Sequence, residues 1–282
     1  MRIKIPKNEK FIMAQPDAGL GNRLRCMYSW IYYADYFKVP LDVLWLRETC
    51  CNVRYEELFK KDENVRVHTL YKLGYKNKYV LKSLASSVVF KRLKKKVKYF
   101  DAGKSTAIFE NSGEKGFIDI LKQSDAVCFK SCNQNCDGEH FIASRNRIEP
   151  AEDIKTRVDE ILFEYTSKRL VGIHIRRTDH VDAIEHSTLE AFVKAMRKEA
   201  DEGACFYIAT DDADVERQLN EEFECVPHKN FCDRKSRNTA EGMKDAYVDM
   251  LCLSRCEKIY GSYGSSFSVM ASIMGDVTLE IV

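Results

Sequence analysis

Residues 171–180 read V-G-I-H-I-R-R-T-D-H, an apolar strand that runs directly into arginines, an aspartate and a second histidine. Successive side chains of a strand point to opposite faces, so Ile173 and Ile175 can face a core while His174 and Arg176 share the other face. In parallel sheets covered by helices, ligands bind at the carboxyl ends of the strands. The stretch therefore predicts an α/β fold with a binding site where this strand ends.

The sequence around this strand alternates between strand-like and helix-like patterns, which is typical of a parallel sheet covered by helices. In the second half we predict strands at residues 170–175, 205–210, 224–227, 258–261 and 277–281, and helices at 188–200, 212–222, 239–254 and 265–274. These elements indicate a doubly wound unit from about residue 160 to the end of the chain.

The first half has a looser pattern of the same kind. We predict strands at residues 11–15, 41–46, 65–69 and 126–130, a turn at 16–21 and a helix at 22–37. Residues 72–104 are weakly patterned and are interpreted as a basic insertion. A chain of 282 residues is long enough for two domains of roughly 140 residues. We place the boundary at Glu149–Pro150, with an acceptor-side domain at 1–150 and a donor-binding domain at 151–282.

Charge is nearly balanced overall, but it is unevenly distributed. The formal net charge is +2, which gives no global field that favours a nucleic-acid partner. Between Lys72 and Lys104, however, eleven residues are Lys or Arg and one, Asp101, is acidic. This stretch is either a solvated helix face or a surface for a polyanion or an anionic membrane.

Cysteine content and the amino terminus predict a cytoplasmic protein. The first residues carry charges where a signal peptide needs its apolar segment, and no run of about 18 apolar residues occurs. We therefore expect most of the eleven cysteines to be reduced thiols in the core. Cys128, Cys132, Cys136 and His140 suggest a zinc site, but their spacing is wider than C-x2-C and Asp137-Gly138 interrupts any helix that would align them. No metal or other cofactor is expected.

Two strand exits carry residues suited to anions. In A-Q-P-D-A-G-L-G-N-R-L-R at residues 14–25, Gly19 and Gly21 let the backbone approach a ligand, and Asn22 and Arg23 open the following helix. Helix amino termini bind anions, although this spacing fits neither the dinucleotide motif nor the P-loop, and a plain turn explains it equally well. At the second exit, the guanidinium of Arg176 can grip a diphosphate, or Arg176 or Arg177 can form a structural ion pair with Asp179.

Two further exits complete the set. In I-A-T-D-D at residues 208–212, Thr210 and Asp211 can face a ribose, or an aspartate can simply cap the next helix. In residues 245–268, Asp249 lies on a helix, and Ser265, Ser266 and Phe267 follow a strand at the start of another helix, a second terminus suited to phosphate.

The segments G-L-G-N-R-L, H-I-R-R-T-D, A-T-D-D and D-M-L-C-L-S...G-S-Y-G-S-S-F-S, in this order, resemble the fucosyltransferase-like glycosyltransferases, which include the α1,6- and protein O-fucosyltransferases. The resemblance implies the GT-B fold, in which two Rossmann-like domains have parallel sheets that face a central cleft, and inverting chemistry without a metal. It also implies a role for each matching residue. Arg176 would bind the donor pyrophosphate, His174 would line the base pocket, Asp249 would accept hydrogen bonds from guanine, Ser265, Ser266 and Phe267 would contact phosphates, and Asn22 would face the donor from the other domain.

The predicted reaction is sugar transfer from a nucleotide diphosphate donor, with GDP-fucose favoured, to a glycan hydroxyl. The predicted donor contacts also include Gly21, Arg23, Thr210 and Asp211. With no convincing D-x-D metal site, Arg176 and helix termini must stabilise the leaving diphosphate. The base is expected to be Asp182 or Glu185, in the loop after the arginines, with Asp17 as a third candidate.

Two alternatives stay open. The same fold can use a UDP-sugar such as UDP-xylose, because a single carboxylate at Asp249 can accept the one N3–H of uracil as well as two N–H groups of guanine. A nucleotide- or glycan-binding module without catalysis is the other alternative. The segment after the arginines also departs from the family pattern, since His180 stands where some relatives have Lys and the expected acid is displaced to Asp182 or Glu185.

Overall fold

The computed structural model describes residues 3–6, 9–72, 80–177, 181–227 and 238–282; for residues 80–84 and 181–183 it describes the helix only. The chain divides into two compact units. The first contains Met1–Pro150 and Arg237–Ala240, and the second contains Ala151–Ser236 and Glu241–Val282. No helix in the described ranges is both long and apolar enough to cross a lipid bilayer.

The first unit is built on a five-stranded parallel sheet in the order β3-β2-β1-β5-β4. Its strands are β1 (Phe11–Pro16), β2 (Leu41–Arg47), β3 (Val65–Tyr71), β4 (Lys98–Phe100) and β5 (Ala126–Ser131). Its helices are α1 (Leu20–Tyr36), α2 (Val80–Lys94), α3 (Ala102–Gln123) and α4 (Gly138–Ala143). All six residues of the central strand β1 are buried. Trp30 of α1 stacks on Phe129 of β5 with ring centroids 4.3 Å apart and meets Phe117 of α3 edge-on at 5.3 Å.

The prediction of a weakly patterned insertion at residues 72–104 was wrong for most of its length. The segment contains helix α2 and the edge strand β4, and α3 begins at Ala102. Leu93 and Val97 are buried in a core cluster against which Val89 and Phe90 pack. These positions have helical spacing, but the many lysines around them obscured the apolar stripe in the sequence.

The second unit has a four-stranded parallel sheet in the order β7-β6-β8-β9. Its strands are β6 (Arg169–Ile175), β7 (Ala204–Thr210), β8 (Lys258–Gly261) and β9 (Thr278–Ile281). Its helices are α5 (Glu152–Leu162), α6 (Val181–His186), α7 (Leu189–Asp201), α8 (Ala213–Glu222), α9 (Ala240–Leu253) and α10 (Ser266–Gly275). The core cluster packs Val171, Ile173 and Ile175 of β6 against Phe192 and Met196 of α7.

The predicted strand at residues 224–227 is absent from the described sheet. Cys225 forms only an isolated parallel bridge with Phe206 of β7, and the N–H of Val226 donates to the Phe206 carbonyl at 2.8 Å. Pro227 has no N–H with which to continue the ladder, so pairing ends after one bridge.

Two glycines let helices approach the sheet of the second unit closely. A Cβ atom on Gly261 of β8 would lie 2.7 Å from the Ser268 hydroxyl oxygen of α10 and 2.9 Å from Leu279 Cδ1. A Cβ atom on Gly172 of β6 would lie 2.8 Å from Leu253 Cδ2 of α9. All three separations are below 3.0 Å, shorter than real Cβ contacts, so a side chain at either position would force its neighbours to shift. The two glycines therefore permit the depth at which α9 and α10 pack.

An ion-pair cluster lies at the opposite, amino-terminal edge of this sheet. The carboxylate of Glu199 on α7, whose residue is 3% exposed, accepts hydrogen bonds from Arg169 (2.6 Å) and from the Tyr260 hydroxyl (2.6 Å), with Lys258 at 3.3 Å. Burial would raise the pKa of Glu199, but the bonds from Tyr260, Arg169 and Lys258 outweigh it and hold the pKa at about 2. The cluster joins α7 to the starts of β6 and β8.

The cysteines of the described residues are free thiols, and most are buried, as predicted. Two of the suggested zinc ligands are buried apolar positions instead. Cys128 is a core residue of β5, and Cys136, after that strand, is fully buried. Within the described ranges, a group of possible ligand atoms within 4.8 Å of one another consists instead of Glu114, Asp137 and His140. Glu114 Oε1 accepts the Asp137 N–H at 2.6 Å and lies 2.8 Å from His140 Nδ1, so hydrogen bonding accounts for their closeness.

Candidate functional site

The exits of β6, β7 and β8 are joined by hydrogen bonds at the carboxyl edge of the second unit. The register pairs Ile175 with Thr210 and His174 with Gly261, so Arg176, Asp211 and Ser262 all follow directly on paired residues. The N–H of Arg176 donates to the Ser262 hydroxyl at 2.9 Å, and the N–H of Arg177 donates to Asp211 Oδ1 at 2.8 Å. The backbone that carries Arg176 is therefore held by both neighbouring strands.

The guanidinium of Arg176 is paired across this edge. Its Nε lies 3.4 Å from Asp211 Oδ2, and both side chains are 21% exposed. The sequence suggested Asp179 as the partner in an ion pair, but Asp179 lies outside the described residues. The Arg176 side chain reaches the surface from a backbone that both neighbouring strands hold in place. Because a guanidinium stays protonated, the side chain presents a permanent positive charge at this edge.

Asp211 and Asp212, adjacent in sequence, have separate roles. Asp212 is the amino-terminal cap of α8, where its Oδ1 accepts the N–H groups of Asp214 (2.9 Å) and Val215 (3.2 Å). The Thr210 hydroxyl accepts the Asp212 N–H at 3.2 Å. Of the two roles the sequence offered for this segment, capping therefore belongs to Asp212, which leaves Asp211 to the arginines.

His174 and Phe267 form an aromatic pair beside Arg176. His174 is 5% exposed on β6, and its ring stacks on that of Phe267 with centroids 4.8 Å apart and planes at 21°. Phe267 lies in the first turn of α10, which is capped by Ser265, whose hydroxyl accepts the Phe267 N–H at 3.3 Å. Gly264 has φ +66°, a left-handed conformation that favours glycine, and it turns the chain into this helix.

The start of α10 lies next to the exit of β6, because Phe267 of the helix stacks on His174 of the strand. Ser262 follows β8 and accepts the Arg176 N–H, and the helix begins four residues later at Ser266. A helix of ten residues has unpaired N–H groups and a positive dipole end at its first turn. The edge thus combines a guanidinium and a helix amino terminus, both of which attract phosphate.

Asp249 of α9 is a buried carboxylate with a tyrosine partner. It is 6% exposed, and its Oδ1 accepts the Tyr207 hydroxyl of β7 at 2.7 Å. Burial raises the pKa of Tyr207, and the carboxylate of Asp249 raises it further, so this tyrosine stays a hydrogen-bond donor. Sequence reasoning missed Tyr207 because an aromatic residue within the strand C-F-Y-I-A-T is most simply explained as core.

The two acids proposed from sequence as bases lie on a helix rather than in a loop. Asp182 and Glu185 belong to α6 (Val181–His186); Glu185 is exposed, and the Asp182 side chain and all of His180 lie outside the described residues. The helix is linked to the β8–α10 segment, because His186 stacks on Tyr263 at 4.6 Å and the Ser187 hydroxyl accepts the Tyr263 N–H at 2.8 Å. His186 lies outside the motifs that the sequence analysis used, and Tyr263, although it lies within G-S-Y-G-S-S-F-S, was given no role there.

In the first unit, the glycine segment forms a turn between β1 and α1. The Asp17 N–H donates to the Ser131 carbonyl at 3.0 Å, and its carboxylate pairs with Lys130 at 2.7 Å. Gly19 is the residue before α1, and Gly21 and Asn22 lie in the first turn of that helix, where Asn22 is half-buried. A helix therefore begins at this strand exit, two residues before the predicted start.

Arg23 differs from its prediction as a donor contact. Its side chain is completely buried, and it donates to Glu48 Oε1 (3.0 Å), to the Leu46 carbonyl (2.8 Å) and to the Ala18 carbonyl (2.8 Å). The guanidinium carbon also lies 4.6 Å from the centroid of Trp45. The Arg23 side chain has no exposed surface, and its N–H groups donate to acceptors within the protein. Its role is therefore to stabilise the turn before α1 rather than to contact a donor.

Comparison with known proteins supports the fold through structure alone. No protein-family model and no curated protein matches the chain. Among solved structures, NodZ α-1,6-fucosyltransferase co-crystallized with GDP superposes with a TM-score of 0.63 at 19% identity, covering 94% of this chain and 92% of that one. Fucosyltransferase NodZ from Bradyrhizobium gives 0.62 at 18% identity, covering 94% and 93%.

A second enzyme shares the arrangement at lower identity. POFUT1 in complex with GDP-fucose superposes with a TM-score of 0.60 at 12% identity, covering 96% of this chain and 98% of that one. The chain has the GT-B fold of these fucosyltransferases. The predicted fold class is therefore confirmed, and the match extends over nearly the full length of each chain.

Within this GT-B fold, the sequence motifs of the second unit converge on one edge of its sheet. His174, Arg176, Asp211, Ser265 and Phe267 come together through the contacts described above. Their separation along the sequence, about ninety residues between Arg176 and Phe267, is bridged by the parallel pairing of β6 with β8.

Proposed function

We propose that this chain is an inverting, metal-independent glycosyltransferase that moves fucose from GDP-fucose to a glycan hydroxyl. One observation carries the proposal: the carboxyl edge of the second unit's sheet holds both Arg176, whose backbone is hydrogen-bonded to a neighbouring strand exit, and the amino terminus of α10. The fold supports it, since the structures that superpose on this chain include NodZ α-1,6-fucosyltransferase co-crystallized with GDP and POFUT1 in complex with GDP-fucose.

In the proposed reaction, the acceptor oxygen attacks the anomeric carbon of the donor sugar. The new carbon–oxygen bond forms on one face as the bond to the diphosphate breaks on the other, so the configuration at that carbon inverts and GDP leaves with the electron pair. Negative charge develops on the diphosphate in this transition state. Arg176 can stabilise it with two parallel N–H groups, and the first turn of α10 can supply backbone donors.

Recognition of the base is assigned to Asp249 and the aromatic pair. A guanine edge offers adjacent N1–H and N2–H donors, and a carboxylate is the acceptor that matches them. The Tyr207 hydroxyl orients the Asp249 carboxylate. His174 and Phe267, whose rings stack on each other at the exit of β6, are assigned to line the base pocket.

The acceptor hydroxyl must lose its proton as it attacks, and we assign the base to α6. Asp182 and Glu185 both belong to this helix, which His186 and Ser187 connect to the β8–α10 segment. A carboxylate within hydrogen-bond reach of the hydroxyl takes the proton directly. The proton ends on the carboxylate and is released to water after transfer.

The test is thermal unfolding with GDP, UDP, GDP-fucose and UDP-xylose, each with and without EDTA, followed by transfer assays on a panel of glycan acceptors. A ligand at about 100 times its dissociation constant should stabilise the protein by about 2.7 kcal/mol. We expect GDP and GDP-fucose to stabilise it and transfer to persist in EDTA. Stabilisation by uridine nucleotides alone would indicate a UDP-sugar donor instead of GDP-fucose. Loss of transfer in EDTA would contradict metal independence. Binding of nucleotides without transfer would indicate a binding module.

A further inference from the structure

The carboxyl end of α2 and the segment after it carry a dense group of exposed cations that the proposed transfer reaction does not use. We call this group the basic surface; its members are Lys91, Arg92, Lys94, Lys95, Lys96, Lys98 and Lys104, all exposed. Asp101 is the acid within the same segment, and its Oδ1 accepts the Lys104 N–H as the cap of α3. Positive charge therefore dominates this part of the first unit.

Packing beneath the basic surface directs these side chains outward. Leu93 and Val97 are 3% and 8% exposed and belong to the core cluster of the first unit. On a helix of 3.6 residues per turn, Lys91 lies on the side opposite Leu93. Val88, three residues before Lys91, shares that outer side and is 48% exposed. The outer face of α2 therefore presents an aliphatic residue next to cations.

We propose that the basic surface binds an anionic lipid bilayer. Clustered lysines are attracted to a negatively charged leaflet without needing a particular headgroup geometry, and the attraction adds up over the residues that come within a Debye length of it. Six of the seven cations are lysines, whose compact charge suits such diffuse attraction, whereas arginine is preferred where phosphates are gripped in a fixed geometry. Val88 offers a small apolar contact at the interface.

The aromatic residues of the segment favour a lipid partner over nucleic acid. Phe100 stacks on the core residue Phe129 with ring centroids 4.4 Å apart. Tyr99 packs edge-on against Phe90 at 5.7 Å and is covered by Lys94, whose Nζ lies 3.9 Å from its centroid. Binding of single strands relies on exposed rings that stack with bases, and these rings are half-buried and already packed.

The inference goes beyond the proposed transferase activity and does not depend on it, because all of its residues belong to the first unit and none is assigned to the donor. Its test is sedimentation of the full chain with vesicles of phosphatidylcholine and phosphatidylserine in a ratio of about 70 to 30, beside vesicles of phosphatidylcholine alone. Two variants are compared with the parent protein. One replaces Lys91, Lys95, Lys96 and Lys98 with Gln, and the matched control replaces the exposed lysines Lys61, Lys122, Lys155 and Lys198 with Gln.

Both variants lose the same amount of charge, so a difference between them reports position rather than net charge. We expect the parent and the control to bind the mixed vesicles, the Lys91/Lys95/Lys96/Lys98 variant to bind at least about tenfold more weakly, and binding to fall as salt rises. Thermal unfolding checks that both variants are folded. Equal binding by the two variants, binding to phosphatidylcholine alone, or binding of a single-stranded oligonucleotide without binding of vesicles would each overturn the proposal.

Discussion

The carboxylate of Asp211 accepts the backbone N–H of Arg177 at 2.8 Å, and through this bond the exit of β7 fixes the exit of β6. The other carboxylate oxygen faces Arg176 Nε at 3.4 Å. One side chain thus sets both the backbone path and the guanidinium orientation at the edge to which we assign the donor diphosphate.

Asp211 is therefore expected to act as a positioning residue. In Asp211→Asn the guanidinium loses its orienting charge, while removal of a negative charge favours the anionic donor. For GDP binding the two effects oppose each other, so we expect the Kd for GDP to change less than about threefold. Catalysis depends on the orientation of the guanidinium, so we expect turnover to fall about tenfold. Steady-state kinetics and calorimetry measure the two quantities. Asp212→Asn is the control, since Asn also caps helices; an equal loss of turnover there would contradict the assignment.

Arg176 is expected to stabilise the leaving diphosphate through both charge and shape. Arg176→Ala should lower turnover at least about 10³-fold, the scale on which single transition-state donors act. Arg176→Lys should recover only part of the loss, because Lys keeps the charge but not the fork. In the control Arg177→Ala, the backbone N–H that meets Asp211 remains, and turnover should stay close to that of the parent. Parent-like transfer by Arg176→Ala would remove the diphosphate role.

The base can be identified by conservative changes on α6. Whichever of Asp182→Asn and Glu185→Gln removes the base should lower turnover at least about 100-fold while leaving the Kd for GDP unchanged, because the proton is taken from the acceptor rather than the donor. Glu190→Gln, an exposed acid on α7, is the control. If both α6 variants turn over normally, the assignment fails and Asp17→Asn is the next variant to measure.

Base preference should depend on the Tyr207–Asp249 hydrogen bond. Asp249→Asn replaces an acceptor with an amide and should weaken GDP at least about tenfold, since the buried N–H groups of guanine lose charge-assisted bonds. Tyr207→Phe should reduce the preference for GDP over UDP, because it removes a hydrogen bond that orients the carboxylate. Tyr260→Phe, which removes another buried tyrosine hydroxyl at the far edge of the same sheet, should leave GDP affinity unchanged. Calorimetry with both nucleotides measures these changes.

Acid stability should report on Glu199. Its pKa is held at about 2, below the ordinary value of 4.5, so its contribution is present above about pH 4.5 and is lost as the pH falls through about 2. We expect Glu199→Gln to lower the free energy of unfolding by about 3 kcal/mol at pH 7, with the difference from the parent vanishing near pH 2. Urea unfolding between these pH values tests this; a difference independent of pH would indicate lost packing instead.

The alternation of apolar strands and helices was sufficient to predict the α/β class and most strands of the second unit, because buried parallel strands are short apolar runs that end in polar residues. Long helices with weak stripes were missed. Glycines at 103, 113 and 116 disguise α3, and lysines disguise α2. The candidate residues at strand exits could be located for the same reason as the strands, and their roles stay predictions. No role was predicted for Tyr207, Ser262 or Tyr263, because their hydrogen-bond partners come from elements far away in sequence, which local patterns cannot indicate.

Gly261 has a consequence for engineering this protein. Replacing glycines in regular structure with alanine is a common route to higher stability, and a strand glycine with an ordinary backbone conformation is an obvious choice. Here the added methyl group would meet Ser268 and Leu279, and α10 would have to move away from β8. The same helix begins at the edge we assign to the donor phosphates. Substitutions of Gly261 should therefore change thermal stability and turnover together, because both depend on the position of α10.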